Sequence, residues 1–308
     1  MSTPQSGILP PASSHALFLT YRLRPGFTIA PFRLRRACSE IPAMTSELAA
    51  LDENGAFYSV VAFDSNVWNL LYPNQRPAQL RPFRAREQGP RKAPSTPTDL
   101  LIHIRGERRD LCHELGRRIT ASLGDGLALV EEVSCFRYLD NRDLTGFVDG
   151  TENPEGDERR AFALVGDEDP WFAGGSYIHM QRYIHDLARW ERLKVFEQEP
   201  IIGRTKYTNE ELPRGVRPPS AHINRVTLRD AQGEEIKILR HSMPFGGLKE
   251  SGLMFISYAR SPDPFDQMLD RMIFQDEDEF HDRLLDFTKA MTGGAFFAPP
   301  LERLTATA

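Results

Sequence analysis

Two periodicities alternate along the chain, and together they predict its elements. In the first half, Ala16 to Leu23 and Phe57 to Phe63 read as strands, with an amphipathic helix between them from Phe32 to Leu51. After a Pro- and Arg-rich interruption from Tyr72 to Pro97, Asp99 to Arg105 reads as a strand, Arg108 to Leu123 as a helix and Leu127 to Tyr138 as a strand. The order βαββαβ is the split arrangement of a ferredoxin-like sheet with both helices on one face. Its other face needs cover.

The second half repeats the pattern less cleanly. Ser176 to Tyr183 reads as a strand, and Asp186 to Glu197 as a helix with Trp190 and Phe196 inward. His222 to Leu228 and Ile236 to Leu239 read as short strands, Gly252 to Tyr258 as a strong one, and Pro264 to Phe274 and Glu279 to Met291 as helices. The expectation is an α+β fold of tandem ferredoxin-like halves, residues 1–143 and 144–308. Packed sheet to sheet in the manner of a dimeric α+β barrel, each half would cover the open face of the other.

Composition narrows the function. At 40% hydrophobic residues the 308-residue chain can build a real core, and a net charge of −5 offers no field for nucleic acid or an anionic membrane. No apolar run approaches the ~20 residues of a spanning helix, and no signal-like start is present, so the cytoplasm is the default expectation. Cys38, Cys112 and Cys135 fit no zinc or thiol-exchange spacing, and they read as reduced, buried apolar residues. The basic stretch Arg81, Arg84, Arg86, Arg91 and Lys92 reads as a solvated loop, and Asp276 to Glu279 as a cap on the last helix.

One stretch carries chemistry: Leu144-Thr-Gly-Phe-Val-Asp149-Gly-Thr-Glu-Asn-Pro154. Gly146 and Gly150 allow backbone to approach a ligand, and Asn153-Pro154 enforces a turn, so Asp149 is presented rather than dissolved in a helix face. An ordinary Gly-Asx-Gly turn would show the same spacing. Three later segments add to it: Ser220-Ala-His222-Ile-Asn-Arg225, Ile238-Leu-Arg240-His-Ser-Met-Pro-Phe-Gly246, and Met291-Thr-Gly-Gly-Ala-Phe-Phe-Ala-Pro299. In this order the four segments resemble the dye-decolourising peroxidase family, most closely its compact bacterial B type. The resemblance runs from Gly7-Ile-Leu-Pro-Pro to Pro299.

That resemblance implies a tandem ferredoxin-like fold with haem b (iron protoporphyrin IX) in the second half. It also implies reduction of hydrogen peroxide through a ferryl state, with oxidation of aromatic or dye-like donors; a homo-oligomer is expected because paired ferredoxin-like sheets present edges and faces for self-association. His222 would be the axial ligand; spacing alone does not choose it over His185, His241 or His281. Asp282 would accept from its other ring nitrogen, with Asp286 in reserve. Asp149 would move the peroxide proton and Arg240 would stabilise the departing charge. Many B-type members place Asn where Ser242 stands, and one hydroxyl holds peroxide less firmly than an amide; His241 beside it is a candidate to titrate near the pocket. Arg225, backed by Arg204 and Lys206, would meet the propionates, and Gly150, Thr151, Glu152 and Asn153 would line the haem edge. Phe255, Met254, Phe265 and Met272 are candidate walls, and Trp171, Trp190, Tyr177 and Tyr183 candidate electron relays. A rival of another class is a protein that carries haem or releases its iron, with peroxidase activity incidental; a third is a cofactor-free assembly protein.

Overall fold

The first half folds as its periodicity predicts. In the computed structural model, which describes residues 2–26, 30–52 and 55–306, β1 spans His15–Leu23, α1 Pro31–Ala49, β2 Phe57–Phe63, α2 Ser65–Leu71, β3 Arg86–Gln88, β4 Arg91–Ala93, β5 Leu100–Gly106, α3 Arg109–Leu123 and β6 Leu127–Phe136. Pro31 opens α1, where its missing N–H leaves no helical bond unmade. In α3, Leu111, Cys112, Leu115, Ile119 and Leu123 recur at helical spacing and are buried, so that face turns to the sheet. The sheet order is β6-β1-β5-β2, antiparallel throughout. Leu17, Leu19 and Tyr21 of β1 pack with the helices, whereas Ala16 and Phe18 point to the opposite face.

In the second half α4 spans Glu158–Ala163, β7 Ser176–His185, α5 Leu187–Trp190, α6 Val195–Ile202, α7 His222–Val226, β8 Leu228–Arg229, β9 Glu235–Ile236, β10 Leu239–Arg240, β11 Met243–Gly246, β12 Ser251–Ala259, α8 Asp263–Ile273, β13 Thr288–Ala290, β14 Gly294–Ala298 and α9 Leu301–Thr305. The sheets join edge to edge: β11 meets β6 at Phe245 and Cys135, and β14 meets β2 at Phe297 and Phe63. With β12 paired to β7, β12-β11-β6-β1-β5-β2-β14-β7 close into one antiparallel barrel. Closure removes the exposed edges that two separate sheets would present. Phe18, Val60, Leu101, Ile178, Met254, Ile256, Tyr258 and Phe296 form one buried cluster inside it. All three cysteines are free and buried, and no helix among the described residues is long and apolar enough to cross a membrane.

Five local expectations are corrected. The segment from His222 is the helix α7: Pro218 O accepts from Ala221 N at 3.0 Å and from Asn224 Nδ2 at 2.8 Å, closing a turn just before it. The predicted helix from Asp186 is two short helices, α5 and α6; Trp190 is buried as expected, but Phe196 is 67% exposed. The predicted last helix from Glu279 is replaced by a 3₁₀ turn, Arg283–Asp286, and by β13. Asp276 accepts from Phe280 N at 2.8 Å and so closes a local turn instead of capping a helix. The basic stretch does not lie free in solvent. Arg81, Arg84 and Arg86 grip Asp263, Asp266 and Asp270, spaced along one face of α8, and the Arg86 side chain is 1% exposed.

Candidate active site

The loop that follows β6 is pinned from both sides. Asp149 N donates to Asn141 O and Asp143 N to Phe147 O, both at 2.9 Å, while Arg142 Nη1 bridges Gly146 O and Lys206 O at 2.8 and 2.5 Å. Phe147 sinks among Trp190, Ile201, Ile202 and Phe287. Gly150 turns at φ +80°, a conformation that L side chains rarely adopt, directly after the carboxylate. Asn153 then clamps this loop to β10: its Nδ2 donates to Arg240 O and its Oδ1 accepts from Arg240 N, each at 2.9 Å. Asn153 lines no part of the main cavity; its work is to hold Asp149 and Arg240 together. Asn153→Ala therefore costs about 1–3 kcal/mol in urea unfolding and lowers turnover without removing a side chain from the main cavity.

Asp149 and Arg240 open onto a cavity of about 1400 Å³, its mouth included, that also receives His222, His185, Tyr183 and Phe255. Phe265, Met268, Leu269 and Met272 of α8 complete an apolar wall. Met254 does not join them. Adjacent strand residues point to opposite faces, so Phe255 faces this cavity and Met254 the barrel interior.

Two histidines line the cavity, and their hydrogen bonds tell them apart. His185 has both ring nitrogens engaged, Nδ1 with Thr288 Oγ1 at 2.8 Å and Nε2 with Asp143 Oδ1 at 3.0 Å. His222 Nδ1 meets Asp282 Oδ2 at 2.6 Å, while its Nε2 has no partner among the described residues. Asp282 is fully buried, and its Oδ1 accepts from Leu284 N at 2.9 Å. Burial lowers the His222 pKa, but the Asp282 carboxylate outweighs it and the net shift is upward. His281 is bonded to Asp286, which accounts for that carboxylate, and His241 is buried against Ile8 O at 2.7 Å. Only His222 offers a lone pair to the cavity with its tautomer fixed from behind.

The other wall is electrostatic. Loss of solvent raises the Asp149 pKa and nearby Asp143 raises it further, while Arg240, Gly150 N–H and His222 oppose. Asp143 itself stays below the usual carboxylate range: burial pushes it up, but His185 and Thr145 more than compensate. The sequence offers His185 only as an alternative ligand and does not single out Asp143, because their pairing needs β7 to return beside the loop. Asp149, Gly150 and Arg240 also line a second cavity of about 940 Å³, and Ser242 lies only there. The Ser242 hydroxyl accepts from Ile256 N at 3.3 Å. His241 does not titrate near the pocket, since burial and Arg105 push its pKa well below the ordinary range.

Arg225 is the clearest departure. It is buried away from the cavity, its Nε donating to Arg271 O at 2.7 Å and its Nη1 to Asp276 Oδ2 at 2.5 Å. It ties α7 to the end of α8, and Arg225→Met costs about 2–3 kcal/mol in urea unfolding with the pocket's ligand spectrum unchanged. Besides Arg240, the cations that line the cavity are Arg204, bonded to Glu152, and Lys237, paired with Glu158. Lys206 instead donates to Gln198 Oε1 at 2.8 Å. Thr151 sits at the rim and accepts from Asn209 Nδ2 at 2.9 Å. Of the candidate relays, Tyr183 faces the cavity, Trp190 and Tyr177 are buried, and Trp171 is 46% exposed under the Arg303 guanidinium, 3.8 Å from its ring centre.

Comparison with known proteins agrees with this geometry. Residues 5–137 match the family model Dyp-type peroxidase, N-terminal, and residues 140–303 the model Dyp-type peroxidase, C-terminal. A dye-decolorizing peroxidase of Mycolicibacterium paratuberculosis is 43% identical over 96% of this chain and 84% of its own length. The crystal structure of a Dyp-type peroxidase protein from Shewanella oneidensis superposes with a TM-score of 0.95 at 45% identity, covering 99% of this chain and 98% of that one. A DypB variant of Rhodococcus jostii RHA1 in complex with haem gives 0.94 at 41% identity, covering 98% of each chain.

Proposed function

The chain belongs to the Dyp-type peroxidase family and is a haem peroxidase; on that premise we propose that it reduces hydrogen peroxide on the Asp149 side of the cavity and draws the electrons from aromatic or dye-like donors. The residues fit the cofactor. Nε2 of His222 is a nitrogen donor facing apolar walls, and Arg204 and Lys237, paired with Glu152 and Glu158, are the lining cations that would meet the carboxylates of the group. When bound, haem supplies the redox chemistry that takes up two oxidising equivalents as the O–O bond breaks. The protein supplies the rest. Asp149 accepts a proton from the inner peroxide oxygen and returns it to the outer one as water leaves. Arg240 is permanently charged and stabilises the oxygen that departs. Asp282 fixes His222 and strengthens it as a donor.

The observation that carries this reading is a histidine with one nitrogen committed to a buried carboxylate and the other aimed into a cavity shared with Asp149 and Arg240. Mixing the haem-loaded protein with peroxide and a dye tests it: donor oxidation over many turnovers with haem retained is expected. Haem loss or iron release without turnover would establish the carrier instead. The pH profile follows from the shift at Asp149. A free aspartate titrates near ~3.9, and this one is higher, so activity falls as pH drops through that raised value. Above that value the base is ionised and the rate levels off. A rate that climbs steadily above neutrality would exclude Asp149 as sole base.

A further inference from the structure

Within the largely apolar barrel cluster, β5 sends His103 and Arg105 inward, both buried. His103 Nδ1 lies 2.7 Å from the hydroxyl of Tyr258, and both residues are fully buried. His103 Nε2 has no partner among the described residues. Counting donors sets the direction of this bond. If Tyr258 donates, one N–H is left unpaired; if His103 donates, the phenolic O–H and the Nε2 lone pair are both left. The first arrangement orphans fewer groups. Burial and the Arg105 charge disfavour the protonated ring, so His103 is neutral in the resting pair and its Nδ1 lone pair accepts from the Tyr258 hydroxyl.

The pair lies close to the active site. Tyr258 sits opposite Leu239 in the β10–β12 ladder, next to Arg240, and is three residues along β12 from Phe255 of the cavity wall. At about 3.3 Å per residue that is roughly 10 Å of strand, a distance electrons cross readily. The His241 ring, between Arg240 and Ser242, packs edge-on to Tyr258 with centroids 5.5 Å apart.

We propose that Tyr258 and His103 form a buried redox pair that stores one of the oxidising equivalents generated by peroxide. Tyr258 passes one electron to the oxidised haem site, its O–H bond breaks, and the proton forms an N–H bond at His103 Nδ1. A neutral phenoxyl and an imidazolium result, and the haem site keeps one equivalent. The electron from a later donor reverses the step, and the proton returns from His103. A phenol that has lost an electron is a strong acid, so a weakly basic imidazole suffices. The new cation stacks on Phe18, with centroids 4.3 Å apart and planes 14° from parallel. The apolar wall shields the phenoxyl from solutes, and no carboxylate stands ready to carry the proton off.

This inference rests on the peroxidase reading, and the test separates the two. Haem-loaded protein carrying ¹⁵N-histidine is mixed with one equivalent of peroxide, frozen within milliseconds and examined by electron paramagnetic and electron–nuclear double resonance. The expected result is a tyrosyl signal coupled to a histidine ¹⁵N. The signal disappears in Tyr258→Phe and in His103→Leu. The labelled wild type needs no substitution, so a folding defect in a variant does not obscure the answer. A wild type that oxidises dye without a tyrosyl signal, or a signal that survives Tyr258→Phe, would overturn the pair and leave the peroxidase standing. A wild type that ignores peroxide would overturn both.

Discussion

Replacing Asp149 with alanine slows the reaction of the haem-loaded protein with hydrogen peroxide by roughly 10²- to 10⁴-fold, the range for loss of a positioned acid-base. The carboxylate is presented to the cavity together with Arg240, whose backbone is tied to the same loop through Asn153. Arg240→Leu costs a comparable factor, about 10²–10³, as for removal of one donor that stabilises developing charge. Because the two act on one transition state, Asp149→Ala with Arg240→Leu costs little more than the larger single loss. The measurement is the second-order rate of the Soret change after stopped-flow mixing. A single variant at Asp149 that reacts at the wild-type rate would remove it from the mechanism. Asn in its place keeps the shape but loses the base, so Asp149→Asn falls with Ala; a carboxylate that served only to hold the loop would instead be rescued.

His222→Ala abolishes axial ligation, and the absorption spectrum after haem addition shows it directly. Asp282→Asn is the more informative change. It preserves volume in a fully buried position and leaves an amide oxygen facing His222 Nδ1, but removes the charge that raises the basicity of the ring. A loss of about 10- to 100-fold in haem affinity or activity is expected, as for other acceptors behind a ligating histidine. The raised His222 pKa has a second consequence: the proton competes with iron for the imidazole, so haem uptake weakens as pH falls through that value. Equal haem affinity in wild type and Asp282→Asn, across pH, would show that Asp282 only caps its 3₁₀ turn through Leu284 N.

Some of this was legible in the residues alone. The βαββαβ order of the first half follows from periodicity strong enough to survive tertiary packing, and β2, α1 and α3 lie within two residues of where the pattern puts them. The second half was harder because its elements are short, and local hydrogen bonds outweigh propensity there. Apolar spacing from His222 suits a strand, yet the turn closed by Pro218 starts a helix, and a spacing that suits a helix after Glu279 gives way to the turn closed by Asp276. Arg225 shows the same limit for side chains. Its place three residues after the proposed ligand histidine says nothing about its partners, and Arg271 O and the Asp276 carboxylate, brought from the end of α8, draw it away from the cavity.

The sequence by itself determined the ferredoxin-like α+β fold and the glycine-flanked turn that holds Asp149, since these depend on local spacing. Only the tertiary structure decided which histidine is free to bind, because that depends on partners brought from distant segments: Asp282 fixes His222 through one nitrogen, while Asp143 and Thr288 occupy both nitrogens of His185. It also decided that the two sheets close into a barrel, since a single pair of residues at each seam, Phe245 with Cys135 and Phe297 with Phe63, makes the join, and no local pattern marks such a pair.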